Sequence, residues 1–179
     1  PSNSIRDITQ SNDGTLIIAC YKAGVAKFDG KKFTLYDDGL DDKRVILLEN
    51  GFDGEIWAGT ESAGIGVLEQ DQFKMIRDSD GLAHNEMFSL YNDGKRMWAG
   101  TFGGGVSCFH DNTWFTLRES DGLNSNTVGS IVSIDENTTM IGGTSGVSIF
   151  KTNNQKFSLE MGDILTPKEE LSFDKQMEP

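Results

Sequence analysis

The sequence predicts an all-β fold made of about four copies of one small antiparallel sheet, and three observations carry this prediction. First, the dipeptide Gly-Leu returns at Gly39, Gly81 and Gly122, with spacings of 42 and 41 residues. Second, apolar and polar residues alternate with a period of two, and no long window shows a helical period. Third, the chain has 21 glycines in 179 residues, which indicates many tight turns. A period of about 41 residues that holds four strands is typical of a β-propeller blade.

Other short motifs keep the phase of this repeat. Asp-Gly turn dipeptides begin at Asp13, Asp53 and Asp93. The Ala-Gly-Thr tripeptide at 58–60 returns at 99–101 and, with one change, at 142–144, while residues 19–21 take its place in the first unit. The units therefore cover about 1–38, 39–80, 81–121 and 122–160. The acidic segment 161–179 lacks the repeat and is predicted to be a C-terminal tail, in which residues 167–171 are suited to begin a short helix.

The second unit shows the four strands of a blade best. We expect them at about 44–49, 55–60, 65–69 and 72–76, with an Asp-Gly turn between the first two. In the first unit the third and fourth strands are expected at 25–28 and 32–36. Trp57 and Trp98 recur at one strand position, which predicts packing between neighbouring blades. Phe102 breaks the repeat pattern and is therefore a candidate functional aromatic residue.

Composition and charge exclude several function classes. The net charge is −12 and no stripe of Lys and Arg is present, which argues against a nucleic-acid partner. No apolar stretch approaches the ~20 residues of a membrane span, and the first residues lack the pattern of a signal peptide. We therefore expect no direct membrane insertion. Because the chain starts abruptly without Met, we expect it to be a mature or excised segment.

No motif for catalysis or metal binding stands out. Cys20 and Cys108 occupy non-equivalent places in different units, and both are predicted to be free thiols. The glycines at 103–105 are not followed by the lysine of a phosphate-binding loop. His84 and His110 have no ligand partners at zinc spacing, and the acidic turns do not fit a calcium loop. We expect no cofactor, no metal and no enzyme activity.

The second, third and fourth units carry motifs of a known repeat, the fourth at Gly122-Leu123 and Gly143-Thr144. In the second unit, Gly39-Leu40 precedes the segment Asp-Gly-Glu-Ile-Trp-Ala-Gly-Thr at 53–60, and Gly64-Ile65 follows it. The third unit repeats these features at Gly81-Leu82, at 98–101 and at 104–106. These motifs resemble the two-component regulator propeller repeat, and the resemblance covers residues 1 to about 160. The sequence departs from that family at Ile18 and Cys20 and at Ile141, where Trp and Gly are usual.

The resemblance implies a sensory domain. Such propellers serve as the extracytoplasmic input modules of bacterial histidine kinases and hybrid regulators, so the resemblance places the chain on the periplasmic or extracellular face of a membrane protein. The first hypothesis is a non-enzymatic ligand-binding module whose partner is a small molecule or saccharide. A protein-interaction scaffold is the alternative, and a propeller lyase or hydrolase is the third.

The family also bears on assembly, because its rings hold more than four blades. We expect this chain to close on itself, to form part of a larger ring, or to pair with a second copy as a homodimer with a ring of about eight blades, and we prefer the last.

Strand direction predicts where a binding surface lies. In an up-and-down blade, the loop after the second strand shares one mouth of the ring with the links between blades, and the two hairpins lie at the other mouth. We call these the link mouth and the hairpin mouth. The link mouth gathers the least repetitive residues, which are Asn3, Lys22, Asp41, Asp42, Glu61, His84, Asn85, Phe102, Asn124, Asn126 and Ser145. For Asn3, Asn85 and Asn126 the alternative is a hydrogen bond to their own backbone.

Overall fold

The computed structural model describes residues 2–153 and 156–161, of which 153 and 156–161 are described by their backbone alone. Its described strands form four antiparallel sheets of four strands each, and in every sheet the strands follow their order in the sequence. The predicted all-β architecture of four-stranded blades is therefore confirmed. The predicted tail beyond Met161 lies outside the described residues.

The strand bounds follow the repeat. Blade 1 holds β1 (Ile5–Gln10), β2 (Leu16–Cys20), β3 (Gly24–Phe28) and β4 (Phe33–Tyr36). Blade 2 holds β5 (Val45–Asn50), β6 (Ile56–Thr60), β7 (Ile65–Glu69) and β8 (Gln72–Ile76). Blade 3 holds β9 (Met87–Asn92), β10 (Met97–Thr101), β11 (Val106–His110) and β12 (Thr113–Leu117). Blade 4 holds β13 (Val128–Asp135), β14 (Thr138–Gly143), β15 (Gly146–Asn153) and β16 (Lys156–Met161).

The links after blades 2 and 3 each contain one short 3-10 turn, at Asp78–Asp80 and Glu119–Asp121. Both turns end on a glycine with a positive φ, 116° at Gly81 and 96° at Gly122. These are the glycines of the repeated Gly-Leu dipeptide, so a backbone conformation that favours glycine explains this marker. The following Leu82 and Leu123 are buried and anchor the link in the core.

The first strands of the blades are the inner strands of the propeller. Among the described strands β1 packs on β5, β5 on β9 and β9 on β13, whereas β13 does not pack on β1 in this way. Side chains bridge these strands: Asn50 Nδ2 donates to the carbonyl oxygen of Gln10 at 3.0 Å, and Asn92 Nδ2 donates to that of Asn50 at 2.8 Å. The described blades thus form an open arc rather than a closed ring.

The hydrophobic core lies between neighbouring blades. Ile17, Ala19 and Val25 of blade 1 pack against blade 2, and similar clusters join blade 2 to blade 3 and blade 3 to blade 4. Trp57 and Trp98 are 3% and 0% exposed and lie in the second and third of these interfaces. The prediction that these two residues serve core packing is confirmed.

Among the described blades, the first and the last each have one apolar face on which no other described blade packs. On blade 1 the register Ile8–Ile18–Ala26–Leu35 marks the face turned away from blade 2, and Ile8 and Leu35 are exposed. On blade 4 the row Val132–Met140–Ile149 is turned away from blade 3, and Val132 is exposed.

The register corrects the alignment of the first and fourth units by one residue. Trp57 pairs with Glu49 and Val67 across its sheet, and the residue in the same row of blade 1 is Ile17, which pairs with Thr9 and Lys27. The tryptophan position is therefore occupied by Ile17 instead of Ile18. By the same comparison it is occupied by Met140 instead of Ile141 in blade 4, because the loop after β14 is one residue shorter than its counterparts.

Both cysteines are buried free thiols, as expected. Within the residues that the structure describes, we find no helix that could span a membrane.

Candidate functional site

Four residues occupy one equivalent position at the link mouth. In every blade, the backbone N–H of the residue after the second strand donates to the carbonyl of the residue that precedes the inner strand. These pairs, with N···O distances of 2.9 to 3.3 Å, are Tyr21–Ser4, Glu61–Arg44, Phe102–Glu86 and Thr144–Thr127. The equivalents of Glu61 and Phe102 are therefore Tyr21 and Thr144, and the predicted Lys22 and Ser145 each lie one residue further along the loop. One backbone position thus presents an aromatic, an acidic, a second aromatic and a hydroxyl side chain.

A second set of equivalent positions lies beside the first. Each inner strand has a register shift near its start, and the residues that the pairing skips are Arg6, Ile46, Phe88 and Gly129. A bulge of this kind turns a side chain away from the regular strand direction, and bulges are frequent next to functional sites. The four blades again carry four different residues at one position.

In blades 1 and 3 the residue after the second strand contacts the bulge residue of the same blade. In blade 1 the guanidinium carbon of Arg6 lies 4.3 Å from the centre of the Tyr21 ring, and Lys22 Nζ lies 5.7 Å from it. In blade 3 the rings of Phe88 and Phe102 meet edge to face with their centres 5.9 Å apart. Phe88 and Phe102 are nevertheless 48% and 55% exposed, so the pair presents aromatic surface to solvent.

Blade 2 carries an ionic network at the same mouth. Arg44 donates to Asp42 through Nε and Nη2, at 2.8 Å each, and its Nη1 lies 2.7 Å from Glu61 Oε2. The hydroxyl of Tyr21 donates to the same Glu61 oxygen at 3.1 Å, which connects blades 1 and 2. Burial opposes ionisation of Asp42, but hydrogen bonds from Arg44 and Ser62 hold its pKa below the usual range.

Asp42 and His84 have a structural role in their links. At one equivalent position before each inner strand the side chain accepts the backbone N–H of the residue two places later. The four residues that do so are Ser2, Asp42, His84 and Ser125. His84 accepts through Nδ1 at 3.1 Å. The assignment of both residues to a ligand site stays a prediction.

The predicted asparagines also contact backbone. Asn85 Oδ1 accepts from the N–H of Asp78, and Asn126 Oδ1 accepts from that of Glu119, each at 2.9 Å. Their recurrence is thus explained by hydrogen bonds within the link, the alternative that the sequence left open. Asn124 donates from Nδ2 to the carbonyl of Val147 at 3.4 Å.

Two further predicted residues are exposed. Asp41 in the link between blades 1 and 2 pairs with Arg77, which follows β8 of blade 2, and Asn3 precedes the first inner strand. The structure brings Asp42 and Glu61 together through Arg44, whereas Phe102 lies in another blade with Phe88.

The sequence did not indicate four residues of the link mouth, which are Arg6, Tyr21, Arg44 and Phe88. Tyr21 precedes Gly24 by the same number of residues as Glu61 precedes Gly64, so this spacing would have identified Tyr21 from the sequence. The sequence carries no comparable signal for the bulges.

The hairpin mouth contains grooves between neighbouring blades. One, of about 300 Å³, lies between blades 1 and 2 and is lined by Asp13, Ile17, Lys27 and Asp53 among others. Another, of about 220 Å³, lies between blades 3 and 4 beside Asp93 and Arg96. No cluster of three or more His, Cys, Asp or Glu side chains suited to a metal ion occurs in the described part of the chain.

Comparison with known proteins supports the fold alone. No protein-family model and no curated protein sequence matches the chain. Among solved structures, the extracellular domain of a protein described as a hybrid two-component system from B. thetaiotaomicron has 20% identity and a TM-score of 0.73, over 91% of this chain and 25% of that one. Virginiamycin B lyase from Staphylococcus aureus has 18% identity and a TM-score of 0.65, over 91% of this chain and 56% of the lyase. YCF48 bound to D1 peptide has 12% identity and a TM-score of 0.63, over 84% of this chain and 51% of YCF48.

The chain thus spans about a quarter of the extracellular two-component domain and about half of the other two. All three similarities concern a part of a propeller, in agreement with the open arc.

Proposed function

We propose that this chain is part of a non-enzymatic, extracytoplasmic sensor propeller that binds its ligand at the link mouth. The observation that carries the proposal is the contrast between backbone and side chains at that mouth. The four post-strand positions share one hydrogen bond, and the four bulge positions share one register shift, yet each set holds four different residues. Variation on a rigid repeated scaffold is how loops generally carry recognition.

The chemistry of the link mouth indicates the contacts that a ligand would make. Phe88 and Phe102 offer an exposed aromatic surface, which is suited to stack against a flat apolar face. Arg6 and Lys22 offer positive charge beside Tyr21. A small molecule or saccharide with one apolar face and several polar groups matches this combination. The similarity to an extracellular two-component domain supports a sensory role and an extracytoplasmic location.

The second candidate is a protein-interaction scaffold. The exposed Phe88–Phe102 pair supports it, because aromatic residues are enriched in protein interfaces. The structure of YCF48 bound to a peptide supports it as a use of a similar fold. A lyase is less favoured, because at the link mouth the acids Asp42 and Glu61 are both engaged by Arg44.

The test replaces Phe102 and Phe88 singly by Ala. Phe52→Ala is the matched control, because Phe52 is also exposed but lies in the β5–β6 hairpin at the other mouth. The three variants and the parent chain are screened by saturation-transfer NMR against a panel of mono- and disaccharides, amino acids and short peptides, and their melting temperatures are compared.

We expect a ligand of the parent chain to lose binding in the two link-mouth variants at unchanged melting temperature, and to keep it in Phe52→Ala. A saccharide ligand supports the sensor, and a peptide supports the scaffold. Binding that survives both link-mouth changes would place the site elsewhere.

A further inference from the structure

Two blades anchor a tryptophan in the same way. Trp57 Nε1 donates to Glu55 Oε1, and Trp98 Nε1 donates to Asp93 Oδ2, each at 3.0 Å. In both cases the carboxylate belongs to the hairpin between the first and second strands of the same blade. The indole fills the space toward the next blade, where Trp57 meets Phe109 and Trp98 meets Phe150. A hairpin carboxylate and an indole N–H thus form a repeated pair at the hairpin mouth.

Blade 1 has the hairpin carboxylate but lacks the indole. Ile17 stands in the sheet row of Trp57, and the groove of about 300 Å³ opens between blades 1 and 2 at this place. Asp13 of the first hairpin lines the groove together with Ile17 and Ile56. A branched aliphatic side chain is smaller than an indole, so this row carries less side-chain volume in blade 1 than in blades 2 and 3.

We infer that this groove is a binding site for a planar aromatic ligand that carries an N–H or ammonium group, and that the ligand takes the place of the missing indole. Ile17 and Ile56, which are 1% and 2% exposed, form the closed apolar floor on which the ring rests, and the exposed Asp13 and Asp53 supply acceptors for the donor. Lys27 is the one cationic side chain among the residues that line the groove, so two acids face one base. This balance favours a cationic ligand over an anionic one.

Asp13 is suited to act as the acceptor. Its Oδ1 accepts from Ser11 Oγ at 2.6 Å and from the Thr15 backbone N–H at 2.9 Å, so the turn holds the carboxylate in place. The hydrogen bonds from Ser11 and Thr15 lower its pKa to about 2, so the carboxylate is ionised at neutral pH. The groove lies at the lower end of the size range of small-molecule pockets, which fits a ligand of one or two rings.

The experiment titrates tryptamine into the 179-residue chain and follows binding by calorimetry and by amide chemical shifts. We expect saturable binding, with shifts centred on residues of the groove. Ile17→Trp is expected to fill the groove with the chain's own indole, to abolish tryptamine binding and to raise the melting temperature. Asp13→Asn keeps a turn-forming side chain and is expected to weaken binding about tenfold or more, because a charged acceptor is lost.

Asp29→Asn is the control, since Asp29 is an exposed turn carboxylate of the same blade that accepts backbone N–H groups outside the groove. It is expected to leave binding unchanged. If Ile17→Trp does not fold, Ile17→Phe and Asp13→Asn carry the test. The inference is overturned if the parent chain shows no saturable binding, or if tryptamine binds equally well to the folded Ile17 variant or to Asp13→Asn.

Discussion

Trp98 Nε1 and Nε of Arg96 donate to the same carboxylate oxygen, Oδ2 of Asp93, at 3.0 and 2.7 Å. The side chains of Arg96 and Asp93 are only 5% and 3% exposed. Burial opposes ionisation of Asp93, but the hydrogen bond from Trp98, the backbone N–H groups of Lys95 and Arg96 and the charge of Arg96 together hold the pKa of Asp93 below its usual range. Arg96 Nη2 also donates to the carbonyl of Glu136, which ties this pair to blade 4.

The first prediction concerns the stability that this pair maintains. Asp93→Asn leaves Arg96 buried without its counter-charge, and breaking a buried ion pair in this way costs about 3–5 kcal/mol. Urea unfolding followed by tryptophan fluorescence measures the change. Asp53→Asn is the control, because Asp53 is an exposed residue in the corresponding hairpin of blade 2, and its change is expected to stay within about 0.5 kcal/mol. Equal losses in the two variants would contradict the prediction.

The same pair makes stability depend on pH. Because the folded pKa of Asp93 lies below its unfolded value, the ionised side chain contributes its full stability above the unfolded pKa of about 3.9 and loses it as the pH falls through the folded pKa. The difference in unfolding free energy between the parent chain and Asp93→Asn is therefore expected to be constant from pH 7 to about 5 and to shrink below about pH 4. If this difference grew toward acid pH, the predicted direction of the pKa shift of Asp93 would be wrong.

Gly105 allows a steric prediction. A Cβ built on Gly105 would lie 2.1 Å from the carbonyl oxygen of Leu117, and its φ is +96°. Gly54 has a similar φ of +86° but has nothing within 4 Å of the same position. Gly54→Ala is therefore expected to cost about 1–2 kcal/mol for the left-handed backbone alone. Gly105→Ala should cost clearly more in the same urea assay, and equal costs would mean that the backbone moves aside freely.

The sequence contained enough to predict the blades. Gly81 and Gly122 recur because each ends a 3-10 turn with a positive φ, so a backbone requirement appears directly in the sequence. The buried Trp57 and Trp98 recur because equivalent gaps between blades need equivalent side chains. Where loop length changes, as after β14, the motif at Gly142 no longer marks the register, and only backbone pairing shows that Met140 takes the tryptophan position.

The candidate site was less predictable, for a physical reason. Phe102 is visible in the sequence because it interrupts a repeat, but its partner Phe88 reaches the mouth through a bulge, which depends on the pairing of two strands. His84 stood out as one of two histidines, yet its Nδ1 binds the Glu86 backbone in the same way as the carboxylate of Asp42 binds that of Arg44. Chemical rarity in a sequence does not separate a turn residue from a ligand contact.

Cys20 and Cys108 are expected to be unreactive in the folded protein. Each is 1% exposed, and burial raises the pKa of both thiols, so little thiolate is available. Iodoacetamide at pH 8 should label neither residue within the time that labels both in 6 M urea, as read by mass spectrometry. Rapid labelling of Cys108 without denaturant would mean that the interface between blades 3 and 4, in which it lies, opens readily.

The end faces of the arc lead to a prediction of self-association. Phe33 and Leu35 of blade 1 are 53% and 43% exposed, and Val132 of blade 4 is 51% exposed. Inside the chain, each interface joins the face of one blade that carries the tryptophan position to the opposite face of the next blade. Val132 lies on the first kind of face, and Phe33 and Leu35 lie on the second. Because exposed apolar faces favour association, blade 4 of one copy is expected to dock on blade 1 of a second copy.

Light scattering over a range of protein concentrations tests this prediction. The double variant Phe33→Asp, Leu35→Asp should shift the chain toward the monomer, because it places two carboxylates in the docked face. The matched control is the double variant Phe88→Asp, Phe102→Asp, which adds the same charge to a similarly exposed aromatic pair at the link mouth. It should leave the association unchanged. A monomeric parent chain at every concentration would exclude pairing through these faces, and loss of association only in the control would move the contact to the link mouth.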